Sequence, residues 1–466
     1  MKKFFLLFAL LLGMTSCNND PELDTPNPEP DPRPALSTTV PVTEALDELY
    51  GLMDDVAADT RAGAAFDRAR KIRDIRVSGA RAATRTGAYD LPDTLVYVVN
   101  FSDDQGFAVL GAQRSLEPVY VLTESGTFDA AKLDAAIAAA IAEKSAPSSA
   151  TRTAPDPEQP VAELGTDYVY HMLADAVTAV PHIAPVDTVI TYGAWKLSSS
   201  YGPHVKVKWD QTYPFNSAMP ESTHWDNPYY RGRYPVGCAV IAAAQIMSTL
   251  RSPYAASGQG AVYQWTDLNT VSNYTNYENF TPQFYDSAKL SFSMRTYTNQ
   301  LADFLYVLGT RAKAEYGTTG TGVTIQNMVE AFKKMDPMTY GGAKYASYAT
   351  SRLLVRSNLE DRKPMYVRGS SPSGGHAWVV DGYICRKREI TYEYLWGYTG
   401  PTQVSYSEEK KYFLHCNWGY QGKNDGYYAE GVFDMSRHDS FDEEIDTNPN
   451  ANLKYNFNTN NQVILY

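Results

Sequence analysis

The sequence predicts an α+β protein with more than one domain. Its 466 residues exceed the usual size of a single domain, and 44% of them are hydrophobic, which is enough to build sizeable cores. In the second half of the chain, helical patterns come before a run of strand patterns, an order typical of α+β folds. The net charge of −12 argues against nucleic acid as a partner and favours a soluble, acidic surface.

The first 17 residues have the features of an export signal. Lys2 and Lys3 precede Phe4–Leu12, an apolar run that is too short to span a bilayer. Cys17 follows soon after, as in bacterial lipoprotein signals, where this cysteine carries the lipid. Ordinary cleavage by signal peptidase nearby is the alternative interpretation. We therefore expect an exported lipoprotein of the outer membrane or cell surface, held to the membrane through Cys17 unless later cleavage releases it.

Two polar segments divide the first half of the chain. Residues 18–40 are rich in Pro and Asp, a composition typical of disordered tethers. From Val42 the pattern is helical and runs into an arginine-rich stretch, which we interpret as a solvated face. Residues 145–160 are rich in Pro and Ser and are interpreted as an exposed linker.

The sequence predicts a first α+β domain at 41–195. The strand patterns Asp93–Phe101 and Gly106–Ala112 are joined by SDDQ, which predicts a hairpin. A third strand is expected at Glu117–Leu122 and a helix at Asp129–Lys144.

Residues 196–466 are expected to form a second domain that begins with helices and closes with an antiparallel sheet. Helical patterns occupy 239–247, 296–315 and 323–335. Strand patterns follow in KPMYVRG, GHAWVVDGYIC, KKYFLHCNWG, GYYAEGVF and NQVILY.

Cys238 is the first candidate for chemistry, because it stands between a glycine and a run of strong helix formers, Ala239–Met247. Its sulfur is expected at a helix N-terminus, where backbone N–H groups and the helix dipole favour the reactive thiolate. An inert core cysteine is the alternative interpretation, because a thiol outside a disulfide is usually buried and unreactive.

His376 is the second candidate. It follows Gly374 and Gly375 at the start of an apolar strand, about 140 residues after Cys238, the order found in papain-like enzymes. An imidazole there can take the proton of the thiol and later give it to a leaving amine. A histidine that is only hydrogen bonded at a strand end is the alternative.

Two further segments offer partners for this pair. Asn417 is expected to orient the imidazole of His376, and Trp418 to cover that hydrogen bond. Gln211 lies upstream of Cys238, and its side-chain amide beside the backbone N–H of Cys238 would form an oxyanion hole with two donors. An ordinary loop glutamine is the alternative interpretation of Gln211.

As an ordered set, these motifs resemble the streptopain family of papain-like cysteine peptidases. The resemblance covers residues 205–466 and rests on WDQTYPFN, GCAVIAAAQIM, GGHAWVVDGY and NWGYQGKNDGYY. It implies a papain-like domain in which Cys238 is the nucleophile, His376 the base and Gln211 the oxyanion donor. Asn417 and Trp418 would shape the surroundings of the histidine.

The resemblance also bears on the substrate cleft. YGTTGTGV is similar to a glycine-rich loop that borders the cleft, so Gly320, Thr321 and Gly322 are expected to bind substrate, together with Gly374 and Gly375. A mobile surface loop is the alternative for this composition. Tyr420 departs from the family pattern, because a second tryptophan is common at its position.

The strand patterns at 90–125 resemble the family's inhibitory propeptide. The domain at 41–195 is therefore expected to be a propeptide that acts as an intramolecular inhibitor and covers the cleft until it is cleaved.

Cys385 and Cys416 are expected to be unpaired core thiols. If His376 faces Asn417 in neighbouring antiparallel strands, Cys385 faces residue 408 and lies about 25 Å from Cys416. A disulfide needs Cα atoms within about 7 Å. The sequence also has no cluster of His, Cys and Asp with metal-ligand spacing, so no metal or other cofactor is expected.

The sequence thus predicts an exported cysteine endopeptidase that is made as a zymogen and acts on proteins or peptides. An amidase of cell-wall peptides on the same scaffold is one alternative. A non-catalytic surface binding protein is the other.

Overall fold

An antiparallel sheet of 12 strands lies at the centre of the described chain. Residues Thr38–Tyr466 form one compact unit. The computed structural model describes residues 39–58, 66–79, 91–145, 167–178, 188–252, 265–271, 291–371, 374–394, 403–432 and 461–466. Cys17, the tether and nearly all of the expected linker lie outside the described residues.

The described helices and strands alternate along the chain. The helices are α1 (Val42–Ala58), α2 (Ala130–Ser145), α3 (Asp167–Val177), α4 (Cys238–Leu250), α5 (Trp265–Thr270), α6 (Phe292–Arg311), α7 (Ile325–Met335), α8 (Pro337–Tyr340) and α9 (Tyr348–Glu360). The strands are β1 (Ile72–Ser78), β2 (Val96–Phe101), β3 (Phe107–Gly111), β4 (Val119–Thr123), β5 (Thr188–Tyr192), β6 (Lys196–Tyr201), β7 (Glu315–Gly317), β8 (Gly320–Gly322), β9 (Lys344–Ser347), β10 (Met365–Ser371), β11 (Gly374–Tyr394), β12 (Gln403–Asn417), β13 (Gly426–Ala429) and β14 (Gln462–Leu465).

Most elements predicted from periodicity are present, and the α+β class is confirmed. Helix α1 buries one stripe of apolar side chains at helical spacing, among them Leu49, Met53 and Val56. The predicted hairpin is β2–β3, and the third strand and the helix are β4 and α2. The arginine-rich stretch is in part strand β1 rather than helix, because it pairs along the edge of β2.

The sheet crosses the boundary that the sequence predicts near residue 195. Its order is β1-β2-β3-β4-β13-β12-β11-β10-β14-β9, with β5 and β6 also paired to β11. At the centre, β4 pairs with β13, with Thr123 opposite Gly426 and Val121 opposite Tyr428. The two expected domains therefore share one sheet, and the division between them stays a prediction.

The register of β11 and β12 differs from the expected one. Asn417 faces Val379, whereas the sequence predicts that it faces His376. A bulge between Val380 and Gly382 shifts the register further along the strands. The bulge forms because Asp381 accepts a hydrogen bond from Val205 N (2.8 Å), and because Gly382 lets the chain near Tyr201 pass closely.

Cys385 and Cys416 form no disulfide, as predicted. In the observed register Cys385 faces Tyr412 and Cys416 faces Val380, so about 17 Å separate the two along the ladder. Burial raises the pKa of both thiols, which keeps them protonated and unreactive.

The two faces of the sheet carry separate cores. Helices α4, α6 and α7 contribute to a core that also contains Tyr366, Ala377 and Val379. The other core contains α1, α2 and α3 with Trp378 and Trp418. Among the described helices, none combines the length and the apolar character needed to cross a membrane.

Candidate active site

Cys238 begins α4, as predicted, and is 1% exposed. The residue before it, Gly237, has φ +94°, and a Cβ there would lie 2.7 Å from Thr321 O. Only glycine fits this turn, because a side chain would meet both the strained backbone angle and the carbonyl oxygen. The turn delivers the sulfur to the positive end of a 13-residue helix, where a thiolate is favoured.

Two separate loops hold the segment that leads into Cys238. Val236 N donates to Gln211 O (3.0 Å), and Thr321 Oγ1 donates to Pro235 O (2.7 Å). The glycine-rich segment is the hairpin β7–β8, in which Gly320, Thr321 and Gly322 are buried. It therefore lies beside Cys238, and its residues Gly320–Gly322 are packed in the interior instead of forming a mobile surface loop.

The side-chain amide of Gln211 is buried without a partner. The residue is 1% exposed, and neither Nε2 nor Oε1 has a hydrogen-bond partner. A buried amide without partners costs about 1–3 kcal/mol of stability, so its retention favours a role in which a ligand supplies the missing bond. The two donors of Nε2 are the groups that an oxyanion requires.

The imidazole of His376 is fully buried, and both of its ring nitrogens have partners. Nε2 lies 3.0 Å from Trp418 O, and Nδ1 lies 3.2 Å from the hydroxyl of Tyr420. A carbonyl oxygen only accepts, so Nε2 carries a proton and donates it to Trp418. Burial lowers the pKa of His376 to about 4, with the Trp418 carbonyl opposing, so the ring is neutral near pH 7.

Aromatic rings enclose this histidine. The Tyr420 ring stacks on it at 5.1 Å and 14°, and Trp418 lies at 5.9 Å. Tyr168 from α3 lies 5.8 Å from the imidazole and 5.6 Å from Trp378. Trp418 thus lies against the histidine, and α3 adds a contact that the sequence did not predict.

The hydrogen bond that the sequence predicted between Asn417 and His376 is not formed. Asn417 Nδ2 donates to Val207 O (3.1 Å), and its Oδ1 accepts from Gly419 N (3.1 Å). Because Asn417 is paired with Val379, its side chain ties the strand end to the following loop. The backbone oxygen of Trp418 orients the imidazole instead, a role that residue type cannot reveal.

Helix α4, which begins with Cys238, packs against β10 and against β11, the strand that carries His376. Burial raises the pKa of Tyr366 above its ordinary value, and the charge of a Cys238 thiolate raises it further. Tyr366 pairs with Val379, close to His376 in β11. A Cβ on Gly419 would lie 3.0 Å from Ile241, one turn beyond Cys238 in α4.

Gly374 and Gly375 begin β11 and pair with Ser371 and Ser370 on β10. Gly374 has φ +137°, an angle that L side chains rarely adopt. The two glycines lead directly into His376.

A buried cluster of charges adjoins the site, and no sequence pattern predicted it. His415 Nδ1 lies 2.6 Å from Asp381, and its Nε2 lies 3.3 Å from Glu124. Glu124 also pairs with Lys208 (2.9 Å), and Asp425 accepts from Trp418 N (2.8 Å).

These contacts shift the ionisation of the cluster. Despite its burial, the two carboxylates raise the pKa of His415 to about 10, so it is a cation near neutral pH. His415 and Lys208 outweigh burial and lower the pKa of Glu124 to about 2. Burial raises the pKa of Asp425 to about 7.

Comparisons with known proteins bear on the same residues. A sequence model described as the peptidase C10 family matches residues 209–428, the range that contains Gln211, Cys238 and His376. The chain is also similar to the thiol protease/hemagglutinin PrtT of Porphyromonas gingivalis, with 25% identity over 207 residues. That alignment covers 42% of this chain and 22% of PrtT, so the chain spans less than a quarter of this relative's length.

Proposed function

Because the chain belongs to the peptidase C10 family of cysteine-type peptidases, we propose that it hydrolyses internal peptide bonds with Cys238 as the nucleophile. The observation that carries the proposal is the placement of Cys238 at the start of α4, two residues after Val236, whose N–H donates to the backbone oxygen of Gln211. In the proposal, this bond brings the buried Gln211 amide and the sulfur of Cys238 to one reacting carbon.

In the proposed mechanism, His376 takes the proton of the Cys238 thiol through Nδ1, while Nε2 keeps its bond to Trp418 O. The thiolate attacks the peptide carbonyl, and the oxyanion is stabilised by Gln211 Nε2 and the backbone N–H of Cys238. Imidazolium then protonates the leaving amine. A water molecule, deprotonated by His376, hydrolyses the acyl-enzyme and restores the thiol.

We further propose that residues 41–195 act as an intramolecular inhibitor of a papain-like domain. The support is that β4 pairs with β13, that Glu124 enters the charged cluster of His415 and Lys208, and that Tyr168 lies against His376. A Cβ on Gly369, the strand partner of His376, would lie 2.4 Å from the Tyr168 hydroxyl. Helix α3 thus fills space beside the catalytic base.

Export as a lipoprotein through Cys17 remains part of the proposal and rests on residues 1–17 alone. Metabolic labelling with palmitate tests it, because the label should be lost in Cys17→Ala and retained in Cys385→Ala.

The central experiment is labelling of the processed protein with an epoxysuccinyl inhibitor, which alkylates reactive thiols. We expect labelling at Cys238 and none in Cys238→Ala, while the matched variant Cys385→Ala keeps both labelling and casein hydrolysis. Turnover of peptidoglycan fragments without turnover of casein would favour an amidase. A processed chain that neither labels nor hydrolyses casein would contradict the proposal and favour a binding protein.

The inhibitor proposal needs its own comparison. Casein hydrolysis should be much slower for the full-length chain than for the same preparation after limited proteolysis. Equal rates per molecule would overturn the inhibitory role of residues 41–195 and leave the role of Cys238 untouched.

A further inference from the structure

Tyr420 contacts the proposed base with both its ring and its hydroxyl. Its ring lies nearly parallel to the imidazole of His376, and its hydroxyl lies 3.2 Å from Nδ1. This position is the one at which the sequence departs from the pattern of similar peptidases, where a tryptophan is common.

The direction of this hydrogen bond follows from the other side of the ring. Nε2 donates to Trp418 O, and the buried ring is neutral, so Nδ1 holds a lone pair and no proton. The hydroxyl of Tyr420 therefore donates to Nδ1. Nδ1 is also the one nitrogen left to take a proton from Cys238, so the phenol and the thiol compete for the same lone pair.

The loop that carries Tyr420 is held by the N-terminal half of the chain. Ser125 Oγ donates to Gly422 O (2.8 Å), and Glu124 N donates to Asp425 O (2.7 Å). Within the loop, Lys423 N donates to Tyr420 O (2.9 Å). Cleavage and departure of residues 41–195 would remove the contacts of Ser125 and Glu124 and leave the loop held from one side, where Gln421 N donates to Trp209 O (3.3 Å).

We propose that Tyr420 is a positioning residue whose hydroxyl occupies Nδ1 of His376 in the unprocessed chain and so withholds the base from Cys238. The inference rests on the proposed function and names a specific side chain that regulates it. When the phenol leaves Nδ1 it keeps its own proton, and the lone pair then accepts the thiol proton to give imidazolium and thiolate.

The test is the rate at which Cys238 is alkylated in the full-length chain, followed by mass spectrometry of the peptide that contains it. One neutral hydrogen bond to Nδ1 is lost in Tyr420→Phe, so alkylation by iodoacetamide should become ~3- to 10-fold faster than in the wild type. Tyr428→Phe is the matched control, because Tyr428 donates its hydroxyl to the backbone oxygen of Asn424 in the same loop (2.7 Å).

A second reagent distinguishes the release of His376 as a base from a simple increase in the solvent exposure of Cys238. An imidazolium beside the thiolate attracts the anionic iodoacetate, so the ratio of iodoacetate to iodoacetamide rates should rise in Tyr420→Phe. Greater exposure alone speeds both reagents alike. Tyr420→Leu carries the same expectation and serves if Tyr420→Phe does not fold.

An unchanged or slower rate at Cys238 in a folded Tyr420 variant overturns the inference, and so does an equal acceleration in Tyr428→Phe. A faster rate without a change in the reagent ratio overturns it as well. None of these outcomes touches the proposed function, which is contradicted instead if processed Cys238→Ala still hydrolyses casein.

Discussion

Glu124 Oε1 lies 3.3 Å from His415 Nε2, although 291 residues separate the two in the chain. Glu124 directly follows β4, and His415 lies on β12. Strand β13 lies between these two strands and pairs with both. Lys208, from a third segment of the chain, lies 2.9 Å from the other carboxylate oxygen of Glu124. The contact between the two halves of the chain therefore depends on the negative charge of Glu124.

Removal of the Glu124 charge should weaken the contact between the two halves of the chain. Glu124→Gln takes one of two carboxylates from His415 and the ion-pair partner from Lys208 in a mostly buried place, which should lower the free energy of unfolding by about 3 kcal/mol. Urea unfolding measures it. Glu44→Gln is the matched control, because the exposed Glu44–Arg114 pair should contribute less than about 1 kcal/mol. Equal losses of unfolding free energy in Glu124→Gln and Glu44→Gln would contradict the larger contribution that we assign to the buried cluster.

The cluster also predicts how stability depends on pH. The folded pKa of His415 is about 10 and its ordinary value is 6.5, so its contribution is complete below pH 6.5 and is lost as the pH rises towards 10. We expect the gap in unfolding free energy between wild type and His415→Gln to narrow by about 1 kcal/mol per pH unit from pH 7 to 9. A gap that is constant over this range would show that His415 is not held as a cation.

Gln211 should matter for turnover more than for stability. In Gln211→Met the processed enzyme loses one oxyanion donor, so kcat for a peptide substrate should fall about 100-fold with little change in KM. Gln245→Met is the matched control, because Gln245 is also a buried glutamine whose amide has no hydrogen-bond partner, but it lies two turns into α4. A similar fall in kcat for both variants would assign the loss to packing.

Asn417 should behave as a structural residue. Asn417→Ala removes the bonds to Val207 O and Gly419 N, which should cost about 2 kcal/mol of unfolding free energy. Because neither bond involves His376, kcat of the folded, processed enzyme should fall less than about 10-fold. A loss of the size expected for Gln211→Met would instead mean that Asn417 reaches the imidazole after processing.

Local patterns in the sequence predicted the elements that present the site. The hairpin β2–β3 and the start of α4 at Cys238 follow from alternation, turn residues and helix propensity, which depend on neighbouring residues only. The separation of Cys385 from Cys416 was also predicted, since a register error of a few residues still leaves them far apart.

The rest of the site depends on contacts that no local pattern encodes. The register at Asn417 was wrong because it assumed that His376 faces Asn417, and the bulge at Asp381, where Val205 N donates to the carboxylate, shifts it by one more residue. The bond from His376 to Trp418 uses a backbone oxygen, and every residue has one. Tyr168 and Glu124 reach the site through the shared sheet, which could not be foreseen once two domains were assumed.

The pairing of β4 with β13 has a consequence for how such a chain would be switched on. A cut between α2 and α3 severs one covalent link but leaves the ladder and the Glu124 cluster in place. The nicked molecule is then a complex of two pieces, and the freed piece competes for the edge of β13 with anything else that can add a strand there. If residues 41–195 inhibit the peptidase as proposed, activity after the cut depends on dilution: a concentrated preparation stays inactive, and the same preparation becomes active when the pieces dissociate.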